Sequence, residues 1–419
     1  MLRNPHHLAG TVRATTLLRQ LLGLKKTRIL GAHVHGDTLF VNVAPSTRIP
    51  RCGGCGCRVR RLYDRRRRSW RHLDMGCLMV RLRYALRRVD CRRCGVTTEL
   101  VPWAEPGSWF TREFELLVGY LAQNANKTVV ATLMRIAWAT VGSIAARLVE
   151  RLGPADPLDD LREIGVDELS YRKHHQYLTV VIDHRRGCIV WARPGKNAAT
   201  LQAFFEELGP ERCAKLERVS IDMSAAYEKA VREAAPTAQI VFDRFHVQRL
   251  VHDALDEVRR AEVRGLDDGP QRRALKNTRW LLHKRLWNLT DAEEGKLLLV
   301  QKHNRRLYRA QLLKETLAAI LDQTLGPADE KLREWISWAR RSRLKPFARA
   351  AATIRDHMAG VLAYCESGLS NARVEALNGK ARTITRRSFG FHGPNALIGM
   401  LFLCCGGIRL APPHANARP

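Results

Sequence analysis

Two short apolar runs, each closed by an aspartate, constrain this chain more than any other feature. They are Glu163-Ile164-Gly165-Val166-Asp167 and Arg218-Val219-Ser220-Ile221-Asp222. Side chains alternate along an extended strand, so Ile164 and Val166 share one face and Asp167 takes the other. The same alternation buries Val219 and Ile221 opposite Asp222. A third acid, Glu375, stands far downstream in a stretch of helical periodicity. There Asn371, Glu375, Asn378 and Arg382 fall on one face, while Val374, Leu377, Ala381 and Ile384 fall on the other and can pack on a sheet. Ser370 is a suitable N-cap. Two strand ends and a late helix can thus gather three carboxylates that are remote in sequence.

The surrounding pattern predicts strands at Glu163–Leu169, Tyr177–Asp183 and Cys188–Ala192, with a turn at Arg185-Arg186-Gly187. A helix follows over Ala198–Leu208, then a strand over Arg218–Asp222, a helix over Ala225–Ala235 and a strand over Gln239–Phe242. The order βββαβαβ is that of an α/β ribonuclease-H-like catalytic domain, assigned to residues 160–245 and 366–408. Residues 246–365 carry helical spacing without strand signals and read as an all-α insertion. Mg²⁺ or Mn²⁺ takes hard oxygen ligands, and two such ions about 3.5–4 Å apart serve both ends of an in-line phosphoryl displacement. Asp167, Asp222 and Glu375 are therefore the candidate catalytic metal ligands. Glu168 and Asp183 are rivals; Glu168 should point away from Asp167, and Asp183 can simply end its strand.

Residues 1–105 hold a different device. Cys52-Gly-Gly-Cys55-Gly and Cys91-Arg-Arg-Cys94-Gly are paired knuckles, and the glycine after each second cysteine permits a tight turn. Four thiolates make a closed tetrahedral site, so Cys52, Cys55, Cys91 and Cys94 are expected to hold one structural Zn²⁺. Fifteen arginines, three aspartates and no lysine lie between Arg51 and Arg93. With a net charge of +30 over 419 residues, the natural counter-charge is a nucleic-acid backbone. Arg65, Arg66, Arg67, Arg68, Trp70 and Arg71 are the candidate contacts here, with Lys380 and Arg382 on the late helix; a merely solvated basic face is the alternative. Residues 106–153 predict three helices, the first N-capped by Thr111, in a helix-turn-helix-like arrangement with Val141–Leu152 as recognition helix; a plain helical packing module fits too.

Taken together, these segments resemble the ISL-three family of insertion-sequence transposases. The resemblance rests on the twin knuckles with Arg67-Arg68-Ser69-Trp70-Arg71-His72-Leu73, and on Gly165-Val166-Asp167-Glu168. It extends to Ser220-Ile221-Asp222-Met223-Ser224-Ala225-Ala226-Tyr227, Asp243-Arg244-Phe245-His246-Val247 and Ser370-Asn371-Ala372-Arg373-Val374-Glu375-Ala376-Leu377-Asn378. It implies a DDE transposase that binds terminal inverted repeats through its amino-terminal domains and cuts and joins DNA with Asp167, Asp222 and Glu375 as metal ligands. His246 would contact DNA near the metals or orient a helix start. Trp280, in Thr278-Arg279-Trp280-Leu281-Leu282, would stack on a base or serve as helical core.

Other readings stay open on the sequence: a transposase-derived DNA-binding protein without chemistry, or a structure-selective nuclease on the same fold. The expected partners are double-stranded DNA and a second copy of the chain, since one chain cannot easily hold two DNA ends. No run of 18 apolar residues and no secretory leader is seen, so a prokaryotic cytoplasmic, nucleoid-associated protein is expected and no membrane.

Overall fold

The computed structural model describes residues 14–172, 176–267, 269–322, 327–369, 372–387 and 393–412. Contacts divide the chain into two units, one of residues 1–152 and 409–419 and one of residues 153–408.

In the first unit, helix Ala14–Leu21 leads into β1 (Thr27–His35) and β2 (Thr38–Pro45), then β3 (Leu62–Met75), β4 (Leu78–Cys91) and β5 (Gly95–Thr98). The sheet order is β1-β2-β4-β3, with β5 also on β4, and only β2 and β4 run parallel. Val41, Val43, Val80, Leu82 and Leu86 bury one face against Trp70 and Trp103, whose rings meet edge to face at 5.5 Å. The arginine run lies on β3, where Arg65 pairs with Arg87 and Ser69 with Arg83 of β4. Its strand character is hidden in sequence because hydrophobic alternation starts only at Trp70.

Three helices follow: Arg112–Asn124, Lys127–Met134 and Trp138–Leu152. Thr111 caps the first as expected, accepting from the Phe114 N–H at 3.3 Å, and Asn126 caps the second through the Val129 N–H at 2.8 Å. The second and third meet at 101°, inside the range of a helix-turn-helix corner. Val141, Ile144, Ala145 and Leu148 line the buried side of the third. The buried Glu115 carboxylate binds Ser108 at 2.7 Å and Arg147 at 2.7 Å, tying the first helix to the third.

The second unit is built on β6 (Glu163–Arg172), β7 (Gln176–Asp183), β8 (Cys188–Pro194), β9 (Arg218–Ile221) and β10 (Gln239–Phe242). They lie in the order β10-β9-β6-β7-β8; β6, β7 and β8 form an antiparallel meander, and β9 and β10 run parallel to β6. Helices Ala198–Leu208 and Ala225–Ala234 pack against β8 and β9. The late helices Ala372–Arg387 and Pro394–Cys405 pack against β6 and β8. Every strand and helix read here from sequence is present, with ends shifted by a few residues.

Between β10 and the late helices runs a block of helices beginning with Arg244–Arg264 and closing with Met358–Ser367. Its buried residues, among them Leu255, Leu313, Leu317, Trp335 and Phe347, join the same core as Ile164, Val219 and Val241 of the sheet. The block is therefore built into the domain. Among the described residues no single helix is long and apolar enough to cross a membrane.

Helix Met358–Ser367 approaches β10 so closely that a Cβ on Gly360 would collide with the Phe242 ring and lie 3.2 Å from the Ile240 carbonyl oxygen. Overpacking of this kind costs about 1–3 kcal/mol. Gly360→Val should lower the thermal midpoint of this unit by roughly 2–4 °C per kcal/mol, read by calorimetry.

Candidate metal centres and nucleic-acid interface

The ligand sulfurs of Cys52, Cys55, Cys91 and Cys94 lie within 4.8 Å of one another, and Cys55 Sγ is 3.6 Å from Cys91 Sγ. Sulfurs about 2.3 Å from a tetrahedral Zn²⁺ stand roughly 3.8 Å apart, so the set fits the ion. The knuckle glycines behave as the spacing demands: Gly56 has φ +71° and Gly95 φ +68°, the left-handed region that favours glycine. Hydrogen bonding to Cys55 and Cys52 pushes the Cys94 thiol up to about 12. Cys57, two residues on, is not in the set.

Alternation on β3 divides the predicted DNA contacts. Arg65 and Arg67, with Arg83 and Arg87 of β4, Asn42 and Trp109, line an open groove of about 960 Å³. Arg66 is also exposed. Arg68 is half-buried; it donates to the Gly107 and Ser108 carbonyls at 3.0 and 2.9 Å and lies 4.4 Å from the Trp109 ring centre. Trp70 and Arg71, expected among the DNA contacts, are instead 1% and 4% exposed. The strand passes under the helices there, and Arg71 is spent on Asp74 and the His72 carbonyl. Arg83, whose guanidinium covers the Phe40 ring, and Arg87, held by Glu99 at 2.6 Å, join this surface without having been singled out in sequence.

In the second unit the carboxylates are aligned by strand register. Glu163 pairs with Arg218, Ile164 with Val219 and Gly165 with Ser220. Carried on two residues, that register sets Asp222 beside Asp167. Phe242 pairs with Ile221, so Asp243 follows beside Asp222, its N–H donating to the Ile221 carbonyl at 3.1 Å. Asp222 and Asp243 thus each follow the last residue of a strand parallel to β6, which carries Asp167 midway along its length.

Each acid is individually fixed. Asp167 accepts from the Glu168 N–H at 2.6 Å and Asp222 from the Ser224 N–H at 3.1 Å. Asp243 caps helix Arg244–Arg264 through the Phe245 N–H and holds His246 Nδ1 at 3.0 Å. Burial raises the Asp167 carboxyl above its ordinary range, a shift opposed by its hydrogen bond and by the charges of His246 and Arg382. The hydrogen bond to Asp243 raises the His246 imidazole, and the charges of Asp222 and Asp167 add to it. Glu168 is raised by burial; Tyr227 donates to it at 3.0 Å, and Asp222 and Asp167 act on it through space. Glu168 thus belongs to the same electrostatic cluster as Asp167 and Asp222. Asp183 closes the β7–β8 turn by accepting from the Arg185 and Arg186 N–H groups at 2.7 and 3.1 Å.

Glu375 lies on helix Ala372–Arg387, but its side chain is outside the described residues, as are Ser370 and Asn371. On the same helix Ala381 and Ile384 are buried and Arg382 acts electrostatically on Asp167. Lys380 Nζ donates to the Cys404 carbonyl at 2.5 Å, closing the C-terminus of helix Pro394–Cys405. Asp243 and Tyr227 were given no role in sequence. The signal for Asp243 was available: Gln239-Ile-Val-Phe242 ends in an aspartate as the other two strands do.

Two outcomes follow. Purified chain should contain one zinc, and Cys94→Ser should lose it and lower the melting of the first unit, checked by elemental analysis and calorimetry. In chelator at pH 7, Asp167→Asn should melt higher than the natural chain, because burial disfavours the charge that the asparagine lacks. A raised folded-state carboxyl loses stability as pH rises from its ordinary value of 3.8 through the shifted one, so the difference should shrink as pH falls toward that range.

Family profiles match along the chain in the order of these structures. Residues 48–94 match the zinc-finger of transposase IS204/IS1001/IS1096/IS1165, and residues 99–149 the helix-turn-helix domain of transposase family ISL3. Residues 164–401 match the profile described as transposase. The transposase for insertion sequence element IS1557 of Mycobacterium tuberculosis is 38% identical over 97% of this chain and 99% of its own length. The transposase for insertion sequence element IS1001 of Bordetella parapertussis is 29% identical over 85% of this chain and 89% of its own. Zinc knuckles, helix-turn-helix corner and five-stranded sheet therefore follow one another along the chain in the order of the matched profiles, and the chain belongs to the ISL3 family of insertion-sequence transposases.

Proposed function

We propose that this transposase is a metal-dependent DDE enzyme on a ribonuclease-H-like fold, binding the terminal inverted repeats of its insertion sequence and catalysing strand cleavage and strand transfer. The observation that carries the reading is that Asp167, Asp222 and Asp243, from three neighbouring strands of one sheet, all act on His246. The meander of three strands followed by two parallel ones supports the fold. Helix Ala372–Arg387 along β6 supports Glu375 as third ligand.

The hard-oxygen donors and the raised Asp167 carboxyl, whose charge burial disfavours, fit divalent cations. When bound, two Mg²⁺ or Mn²⁺ ions supply activation of the attacking oxygen and stabilisation of the leaving one. Asp167, Asp222 and Glu375 hold that site. Asp243 holds His246 by its Nδ1, so the imidazole can meet a phosphate oxygen, and Arg382 adds a second positive charge. In the first step water attacks phosphorus and the bond to O3′ breaks, leaving a 3′-hydroxyl and a 5′-phosphate. In the second that hydroxyl attacks a target phosphodiester, displacing its own O3′.

The groove of Arg65, Arg67, Arg83 and Arg87 would track phosphates, and the exposed Ala139, Ser143 and Ala146 of helix Trp138–Leu152 would face base edges. Two DNA ends call for two chains, hence a homodimer on DNA in the nucleoid. Asp222→Ala should reduce Mg²⁺-dependent cutting of an end-bearing DNA fragment by more than about a hundredfold, the upper cost of losing even an outer partner of a metal ligand. Equal cutting by both proteins would refute the assignment. Binding without nicking by the natural chain in Mn²⁺ would favour a transposase-derived binding protein instead.

A further inference from the structure

Two tryptophans of the helical block stand in water: Trp280 is 70% and Trp287 71% exposed, whereas Trp70, Trp103 and Trp335 are buried. Their placement is rigid. Trp280 lies on the short helix Arg279–His283, anchored by buried Leu281 and Leu282 and by Thr278, whose hydroxyl donates to the Leu275 carbonyl at 2.7 Å. With the leucines inward, Trp280 must point outward. His283 meets it edge-on at 6.0 Å and stacks on His252 at 4.8 Å. His252 belongs to helix Arg244–Arg264, which begins at the Asp243–His246 pair. Each indole carries a cation: the Arg279 guanidinium lies 5.1 Å from the Trp280 ring centre, and that of Arg285 lies 4.3 Å from Trp287. Arg285 is itself fixed by Asp322 at 2.6 Å. From Gly269 to Thr290 the chain has six lysines and arginines and no acidic residue.

We infer that Trp280 and Trp287 are stacking platforms for unpaired bases of a DNA strand at the carboxylate site. The inference rests on the transposase reading and adds a ligand to it. An aromatic face beside a guanidinium suits a partner that offers both a π-face and a negative charge, and a nucleotide offers both. Both guanidinium groups also pair with carboxylates, Arg279 with Asp256 at 3.9 Å and Arg285 with Asp322 at 2.6 Å and Glu315 at 3.6 Å, so the pull on a phosphate comes from the basic excess of the whole segment. Bases inside a duplex keep their faces against one another, so only terminal or unpaired bases can use the platform.

The test is fluorescence anisotropy in chelator, comparing a blunt duplex with the same duplex carrying a short single-stranded thymine extension. The natural chain should prefer the extended duplex. Trp280→Ala and Trp287→Ala should each cut that preference by about fivefold or more while leaving blunt-duplex affinity unchanged, and Trp280→Phe should retain it. An undiminished preference in both alanine variants would overturn the inference. So would the same undiminished preference with loss of a dimer in sedimentation, which would make the face a contact between copies. Duplex binding without any preference would sink the platform alone; no DNA binding at all would sink the transposase reading with it.

Discussion

Like charges held together by strand register are the constraint on which the second unit depends. The register of β6, β9 and β10 brings the segments that carry Asp167, Asp222 and Asp243 side by side, Asp222 and Asp243 each one residue past its strand. The fold manages the repulsion locally. Asp243 is turned into a helix cap and partnered by His246, Asp167 and Asp222 lean on backbone N–H groups, and Glu168 is held by Tyr227. What remains is a site whose burial still disfavours the charge on Asp167. Such a site favours cations without needing to move.

The first unit handles positive charge by the opposite means. Period-two alternation sends Arg65 and Arg67 to an open face while Trp70, Leu82 and Leu86 fill the core behind. Where arginine must go inside it is neutralised on the spot, as Arg71 is by Asp74. A side chain in an arginine run can therefore be surface or scaffold depending on its neighbours across the strand.

The elements around the carboxylates were legible because each strand there is a short apolar run closed by a turn or a polar residue, and the cysteine spacing carried the zinc site by itself. Three things were not legible. The β3–β4 hairpin is masked by arginines that break the hydrophobic pattern. The burial of Trp70 depends on Trp103 and that of Arg71 on Phe114, both remote from the arginine run, so no local window contains them. The part played by Asp243 requires a pairing register, a property of two strands rather than one. Trp280 shows the converse: helical spacing suggests core, but the leucines beside it had already claimed the inward direction.

Because helix Ala372–Arg387 packs on β6 only after the long helical block has been made, a ribosome produces this protein in a fixed order. The knuckles and the helix-turn-helix corner leave the exit tunnel first, and the helix that brings Arg382 to Asp167 leaves on the order of ten seconds or more later. A chain interrupted in that interval carries the knuckles and the helix-turn-helix corner but lacks the helix whose Arg382 opposes the charge of Asp167.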